Sequence, residues 1–161
     1  ALLAGEVDKT VGAPLVSNKA VAASKDAVSW RVLVAEDNEI NALLARTVLA
    51  RLGCVPVMVA NGREAIDEVS RSLAGKTPRL DAILMDLHMP QVDGLQATAE
   101  IHRLCHAAGQ PRPAIVAVTA NAFQEDRDKC IAAGMDDYLS KPFEPGDLRR
   151  ILDSVAQRLA G

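Results

Sequence analysis

Short apolar runs recur along the chain, and most of them end on a charged or hydroxyl residue. Arg31-Val32-Leu33-Val34-Ala35 runs into Glu36-Asp37, and Ala82-Ile83-Leu84-Met85 runs into Asp86. Ala114-Ile115-Val116-Ala117-Val118 runs into Thr119, and Tyr138-Leu139-Ser140 runs into Lys141-Pro142. Cys54 to Ala60 is a further strand-like run, and Pro56, which cannot donate to a ladder, places it at a sheet edge. Between the runs the hydrophobic period lengthens to that of a helix. Ile40, Leu44, Val48 and Leu52 form one stripe that stops at Gly53, a good C-terminal cap. Gly62 to Leu73 predicts a second helix, ending before Gly75, and Asp93 or Gly94 to about Ala107 a third, closed by Gly109 and Pro111. A fourth spans Gln124 to Ala133, closed by Gly134. Pro145 suits the first turn of the last helix, whose stripe is Leu148, Ile151, Leu152, Val155 and Leu159. Strands alternating with helices predict an α/β fold, with right-handed crossovers winding a five-stranded parallel sheet that is covered by helices on both faces.

Upstream of Trp30 this alternation is missing. Residues 1–29 are rich in Ala, Val, Ser and Lys, with no sustained period of 2 or 3.6, and are expected to be a linker or tether. The folded domain is expected to be 30–161. At 161 residues the chain holds one full core plus extra length. A net charge of −3 gives no bulk attraction to nucleic acid, and 2% aromatics leave little for stacking on bases. No apolar run approaches a membrane span, and Glu6, Asp8 and Lys9 interrupt anything resembling a secretory signal. Cys54, Cys105 and Cys130 fit neither a disulfide framework nor a zinc pattern, so a reducing, cytoplasmic setting is expected.

Residues at the carboxyl ends of adjacent parallel strands converge on one crevice. Glu36, Asp37, Asp86, Thr119 and Lys141 would then share a site. Two like charges about 4 Å apart repel by roughly 4 kcal/mol at an effective dielectric near 20. Three carboxylates side by side therefore call for a proton or a cation. Mg²⁺ suits hard oxygen ligands and takes only one or two carboxylates plus phosphate oxygens, whereas zinc would want more than the single imidazole of His88. A carboxylate beside a cation and a lysine is also placed to accept a phosphoryl group. Asp86 would be the nucleophile, with Lys141 and the Thr119 hydroxyl holding the transferring oxygens. Taken singly, Asp37 is a helix cap, Asp86 a turn residue, Thr119 a cap and Lys141 a surface charge; their joint occurrence in order carries the weight. His102 and His106, on one helix with Cys105 between them, lack an acidic partner and are expected to be exposed helix residues. Cys130 and Ile131, with Phe123, are expected in the core or on a partner surface.

Four motifs resemble those of response-regulator receiver domains: Glu36-Asp37-Asn38; Met85-Asp86-Leu87-His88-Met89-Pro90 with Asp93-Gly94; Thr119-Ala120-Asn121-Ala122; and Gly134-Met135-Asp136-Asp137-Tyr138-Leu139-Ser140-Lys141-Pro142. Their wording is most similar to receivers carried by hybrid sensor histidine kinases, and the likeness covers Trp30 to about Leu159. It implies the flavodoxin-like strand order 2-1-3-4-5. It also implies Asp86 as phosphoacceptor, Asp37 as a direct Mg²⁺ ligand, Glu36 as an acid acting through water, and the His88 backbone carbonyl as a third ligand. Thr119 and Lys141 match the phosphoryl-binding pair, Tyr138 the aromatic that switches with Thr119, and Lys141-Pro142 a bond usually cis in the family. His88 and Asn121 occupy positions that govern access of the hydrolytic water.

The expected partner is a histidine kinase or a histidine phosphotransfer domain, with no nucleic acid bound directly, no membrane contact by this segment and no oligomeric state assigned. The missing initial Met, the tether in front, and the chain's stop after the last predicted helix point to the receiver of a hybrid kinase, itself membrane-anchored in one variant of that expectation. The alternatives are a stand-alone regulator, a receiver-like interaction module without phosphorylation, and an aspartyl-nucleophile phosphatase. The last needs an acid where His88 stands.

Overall fold

Consecutive aliphatic residues suit strands buried on both faces, and the runs fold accordingly. A computed structural model describes residues 30–89, 92–120, 124–141 and 143–160, with the side chains of 124, 125 and 158–160 left out. The expected tether at 1–29, the Pro142 bond, Pro90, Asn121 and Phe123 lie outside the described residues. The elements alternate as β1 (Arg31–Ala35), α1 (Glu39–Arg51), β2 (Val55–Val59), α2 (Gly62–Leu73), β3 (Ala82–Asp86), α3 (Gly94–Ala108), β4 (Ala114–Thr119), α4 (Gln124–Ala132), β5 (Asp137–Ser140) and α5 (Pro145–Ala160). All strand pairs are parallel, in the order β2-β1-β3-β4-β5. The Pro56 strand is an edge, as its missing N–H requires.

Side chains alternate across each strand and build two cores. On one face Val32, Val34, Leu84, Val116 and Val118 meet α1 and α5 through Val48, Leu49, Leu148 and Ile151. On the other Leu33, Ile83, Met85, Ile115 and Ala117 meet α2, α3 and α4 through Ile66, Val69, Ile101 and Cys130. Trp30 packs against the first core and its carbonyl accepts the Val55 N–H at 2.8 Å. All three cysteines are buried, and none forms a disulfide among the described residues; burial, with Asp81 nearby, pushes Cys54 up to about 11. Among the described residues no helix is long and apolar enough to cross a membrane.

One expected stripe is misplaced. The buried residues of α1 are Ala45, Val48 and Leu49, while Ile40 is 78% and Leu43 53% exposed, with Leu44 also on the surface. Ala45, Val48 and Leu49 turn inward, while Ile40, Leu43 and Leu44 of the first two turns face out.

Candidate functional site

The sheet order brings the ends of β1, β3, β4 and β5 to one edge, and the ladder continues past them. The Glu36 N–H donates to the Val59 carbonyl at 3.2 Å, the Leu87 N–H to Val118 at 3.1 Å and the Lys141 N–H to Thr119 at 2.8 Å. These bonds fix the backbone of the residues that carry the chemistry. Carboxylate oxygens of Glu36, Asp37 and Asp86 lie within 4.8 Å of one another. Glu36 and Asp86 are buried and Asp37 is exposed, so the cluster opens on one side.

Lys141 supplies the nearest positive charge. Its Nζ is 2.9 Å from Glu36 Oε1 and 3.2 Å from Asp86 Oδ2. Glu36 Oε2 accepts the Asn38 N–H at 3.1 Å, and Asp86 Oδ1 accepts the His88 N–H at 3.0 Å. Burial holds the Glu36 carboxyl above its ordinary range; Lys141 and the Asn38 amide oppose this and Asp86 reinforces it. For Lys141 burial works against the charge, but Glu36 and Asp86 together outweigh it and raise the ammonium above its usual value. One ammonium among three acids leaves negative charge over. The surplus, on oxygen donors alone, fits a small hard dication.

Thr119 is buried at the end of β4, one step past the Val118 that pairs with Asp86. Tyr138 pairs with Ala117 and Thr119 with Ser140, so Tyr138 and Thr119 share a sheet face one diagonal step apart. The Tyr138 ring is half-buried, with the Arg127 guanidinium of α4 4.4 Å above its centroid. The His88 ring is exposed and does not join the acidic cluster, which fits a role for its main chain only.

Glu36, Asp37, Asp86 and Lys141 are thus brought together as their positions at strand ends predict, with Thr119 and Tyr138 on the flanking strands. His102 differs from expectation. It is half-buried, with Nε2 3.1 Å from the Gly134 carbonyl, because the turn after α4 folds onto α3. His106 is exposed as expected, and among the described residues neither histidine belongs to a metal-type cluster. Cys130 is core and Ile131 surface. Asn38 received no role from the sequence alone. Its side chain caps α1, accepting from the Ile40 and Asn41 amides at 2.9 and 3.0 Å; an Asn just ahead of a helical run was the available signal.

Comparison with known proteins matches residues 32–153 to the response regulator receiver domain. Hybrid signal transduction histidine kinase L of Dictyostelium discoideum is 38% identical over 122 residues, covering 76% of this chain and 7% of that protein. This chain therefore spans a small part of such relatives. The receiver domain of sensor histidine kinase PA1611 from Pseudomonas aeruginosa PAO1, solved with a magnesium ion coordinated in its active-site cleft, superposes with a TM-score of 0.67 at 39% identity, over 80% of this chain and 98% of that one. A co-crystal structure of the Saccharomyces cerevisiae histidine phosphotransfer protein Ypd1 with the receiver domain of its downstream response regulator Ssk1 matches with a TM-score of 0.72 at 28% identity, over 83% of this chain and 92% of that one.

Proposed function

The chain belongs to the response regulator receiver family, and from that premise we propose that Asp86 accepts a phosphoryl group from a phosphohistidine in a Mg²⁺-dependent phosphorelay. The observation that carries this is the Lys141 ammonium held between Glu36 and Asp86 in a cluster of three carboxylates. Asp37 and Asp86 are the residues that would hold the cation, with Glu36 behind them and the His88 carbonyl beside them. When bound, Mg²⁺ offsets charge on the phosphoryl oxygens and on the acids that surround them.

The chain's own groups do the rest. An Asp86 carboxylate oxygen forms the new bond to phosphorus as the N–P bond of the donor breaks in line. The departing imidazole keeps that electron pair and takes a proton from solvent. Lys141 is placed to hold one phosphoryl oxygen and the Thr119 hydroxyl another, so charge is met by groups already in position. Movement of Thr119 toward the new phosphate changes what Tyr138 packs against. Contacts made in only one of two states shift their populations, and here the shift would reach the surface of α4, β5 and α5.

The donor is a histidine kinase or histidine phosphotransfer domain, and the exposed Ile40, Leu43 and Leu44 beside Asp37 and Asn38 form an apolar rim on which it can dock. The parent protein is a hybrid histidine kinase, a placement supported by relatives of that name. Residues 1–29 serve as the tether in front of the domain. Intact mass after incubation with Mg²⁺ and acetyl phosphate tests the central step. One phosphoryl group should be added, with none after chelation and none in Asp86→Asn. Label retained by Asp86→Asn, or an unlabelled wild type, refutes the assignment.

A further inference from the structure

Tyr138 is the chain's only tyrosine, and its half-buried ring carries a cation. The Arg127 guanidinium lies 4.4 Å from the ring centroid, well within the range at which a positive charge is attracted to an aromatic face. The helix presents it there. Cys130, three residues on and on the same side of α4, is buried in the core that holds Ala117 and against which Tyr138 packs. That side of α4 therefore faces the sheet, while Arg127 itself is exposed and lies over the rim of the core. The helix supplies no reason of its own for an arginine at this place. Arg127 is close to the start of α4, where the helix dipole favours anions over cations.

The ring is tied to the crevice through a short strand. β5 has four residues, and it sets Tyr138 and Ser140 on the sheet face that Ala117 and Thr119 share. It then runs directly into Lys141, whose N–H is bonded to the Thr119 carbonyl and whose Nζ reaches Glu36 and Asp86. Ring, hydroxyl and ammonium thus stand within a few residues of one another on two paired strands.

We infer that Arg127 is a positioning residue for Tyr138: it holds the ring in its half-buried place and so sets how readily the domain switches. The inference rests on the proposed function, in which phosphoryl transfer to Asp86 moves Thr119 and changes what Tyr138 packs against. A ring that repacks leaves the guanidinium behind, so the contact counts against the switched arrangement. Arg127 touches no reacting atom. A cation over a partly exposed ring shifts an equilibrium by roughly two- to fivefold, and that is the size of effect expected here.

The test titrates the full chain with beryllofluoride, a phosphoryl mimic, at saturating Mg²⁺, following the single tyrosine ring resonance by NMR. Arg127→Ala should reach half-saturation at a two- to fivefold lower beryllofluoride concentration. Its ring resonance before beryllofluoride is added should already lie on the way to the saturated position. Arg127→Lys, which keeps a cation, should fall nearer wild type. Lys129→Ala removes an exposed positive charge from the same helix and should leave the half-saturation point unchanged. In a Tyr138→Leu background Arg127→Ala should have no effect, because the ring it restrains is gone. An unchanged or higher half-saturation point in Arg127→Ala overturns the inference, whatever happens to its urea midpoint. An equal gain in Lys129→Ala, or in the Tyr138→Leu background, also overturns it, since the effect would then be one of net charge. A wild type that takes up no beryllofluoride with Mg²⁺ overturns the proposed function as well, whereas a responsive wild type with an indifferent Arg127→Ala overturns this inference alone.

Discussion

His102 illustrates how a side chain outside the crevice sets a pH dependence. Burial, with Arg112 beside it, holds its imidazole below the ordinary value, while the Gly134 carbonyl and Asp136 pull the other way. The folded state therefore resists protonation that the unfolded chain accepts near pH 6.5. Above that pH the ring is neutral in both states and contributes nothing. As the pH falls below it the unfolded chain binds the extra proton, and stability drops until the folded ring protonates as well. His102→Gln keeps a donor toward Gly134 without a titrating ring. Its urea midpoint should fall less than that of wild type between pH 7.5 and pH 5.5, and equal losses would remove His102 from the account. Lys141, Glu36 and Asp86 were legible because each ends an apolar run and the topology of parallel strands does the gathering. His102 was not, because its burial comes from a turn 32 residues later in the chain.

At the scale of elements, strand and helix positions followed from periodicity, since a residue buried on both faces leaves little choice of type. The orientation of α1 did not follow. Ile40 and Leu44 satisfy a helical stripe with Val48 and Leu52, yet the buried line runs through Ala45, Val48 and Leu49. Periodicity shows which residues share a face, but not which of two overlapping faces meets the sheet. The outward bulk has a consequence for transfer. Replacing Ile40 and Leu43 together with serine removes apolar surface at the rim without touching the core, so folding stability should change by less than about 0.5 kcal/mol. Labelling by acetyl phosphate should be unchanged, because a small donor needs only the crevice. Transfer from a phosphorylated histidine phosphotransfer domain should slow by about tenfold or more, the usual scale for losing apolar anchors at an interface. Equal slowing with both donors would place the defect in the crevice and not at the docking rim.

The molecule as a whole determines whether the site exists at all. Glu36 and Lys141 end strands that are far apart in the chain and meet only through the order β2-β1-β3-β4-β5. That order was readable once the strand-end residues were seen as one family's motif set, but alternation alone left several parallel orders open. An unfolded chain scatters these acids, so a dication that binds the folded cluster binds the unfolded state far more weakly. Binding free energy then adds to folding free energy, by about 2.7 kcal/mol at one hundred times the dissociation constant. For a domain of this size the gain corresponds to a thermal midpoint roughly 10 °C higher. Mg²⁺ should produce that rise in wild type, and a chelator should reverse it. Asp37→Asn offers the sharper comparison, because Asp37 is exposed and takes no part in the Lys141 bridge, so its loss leaves the metal-free fold largely intact. Its midpoint without metal should stay near that of wild type while its response to Mg²⁺ shrinks. An undiminished response would mean that the ion stabilises the protein from somewhere other than this cluster, and the surplus negative charge at the strand ends would need another counterpart.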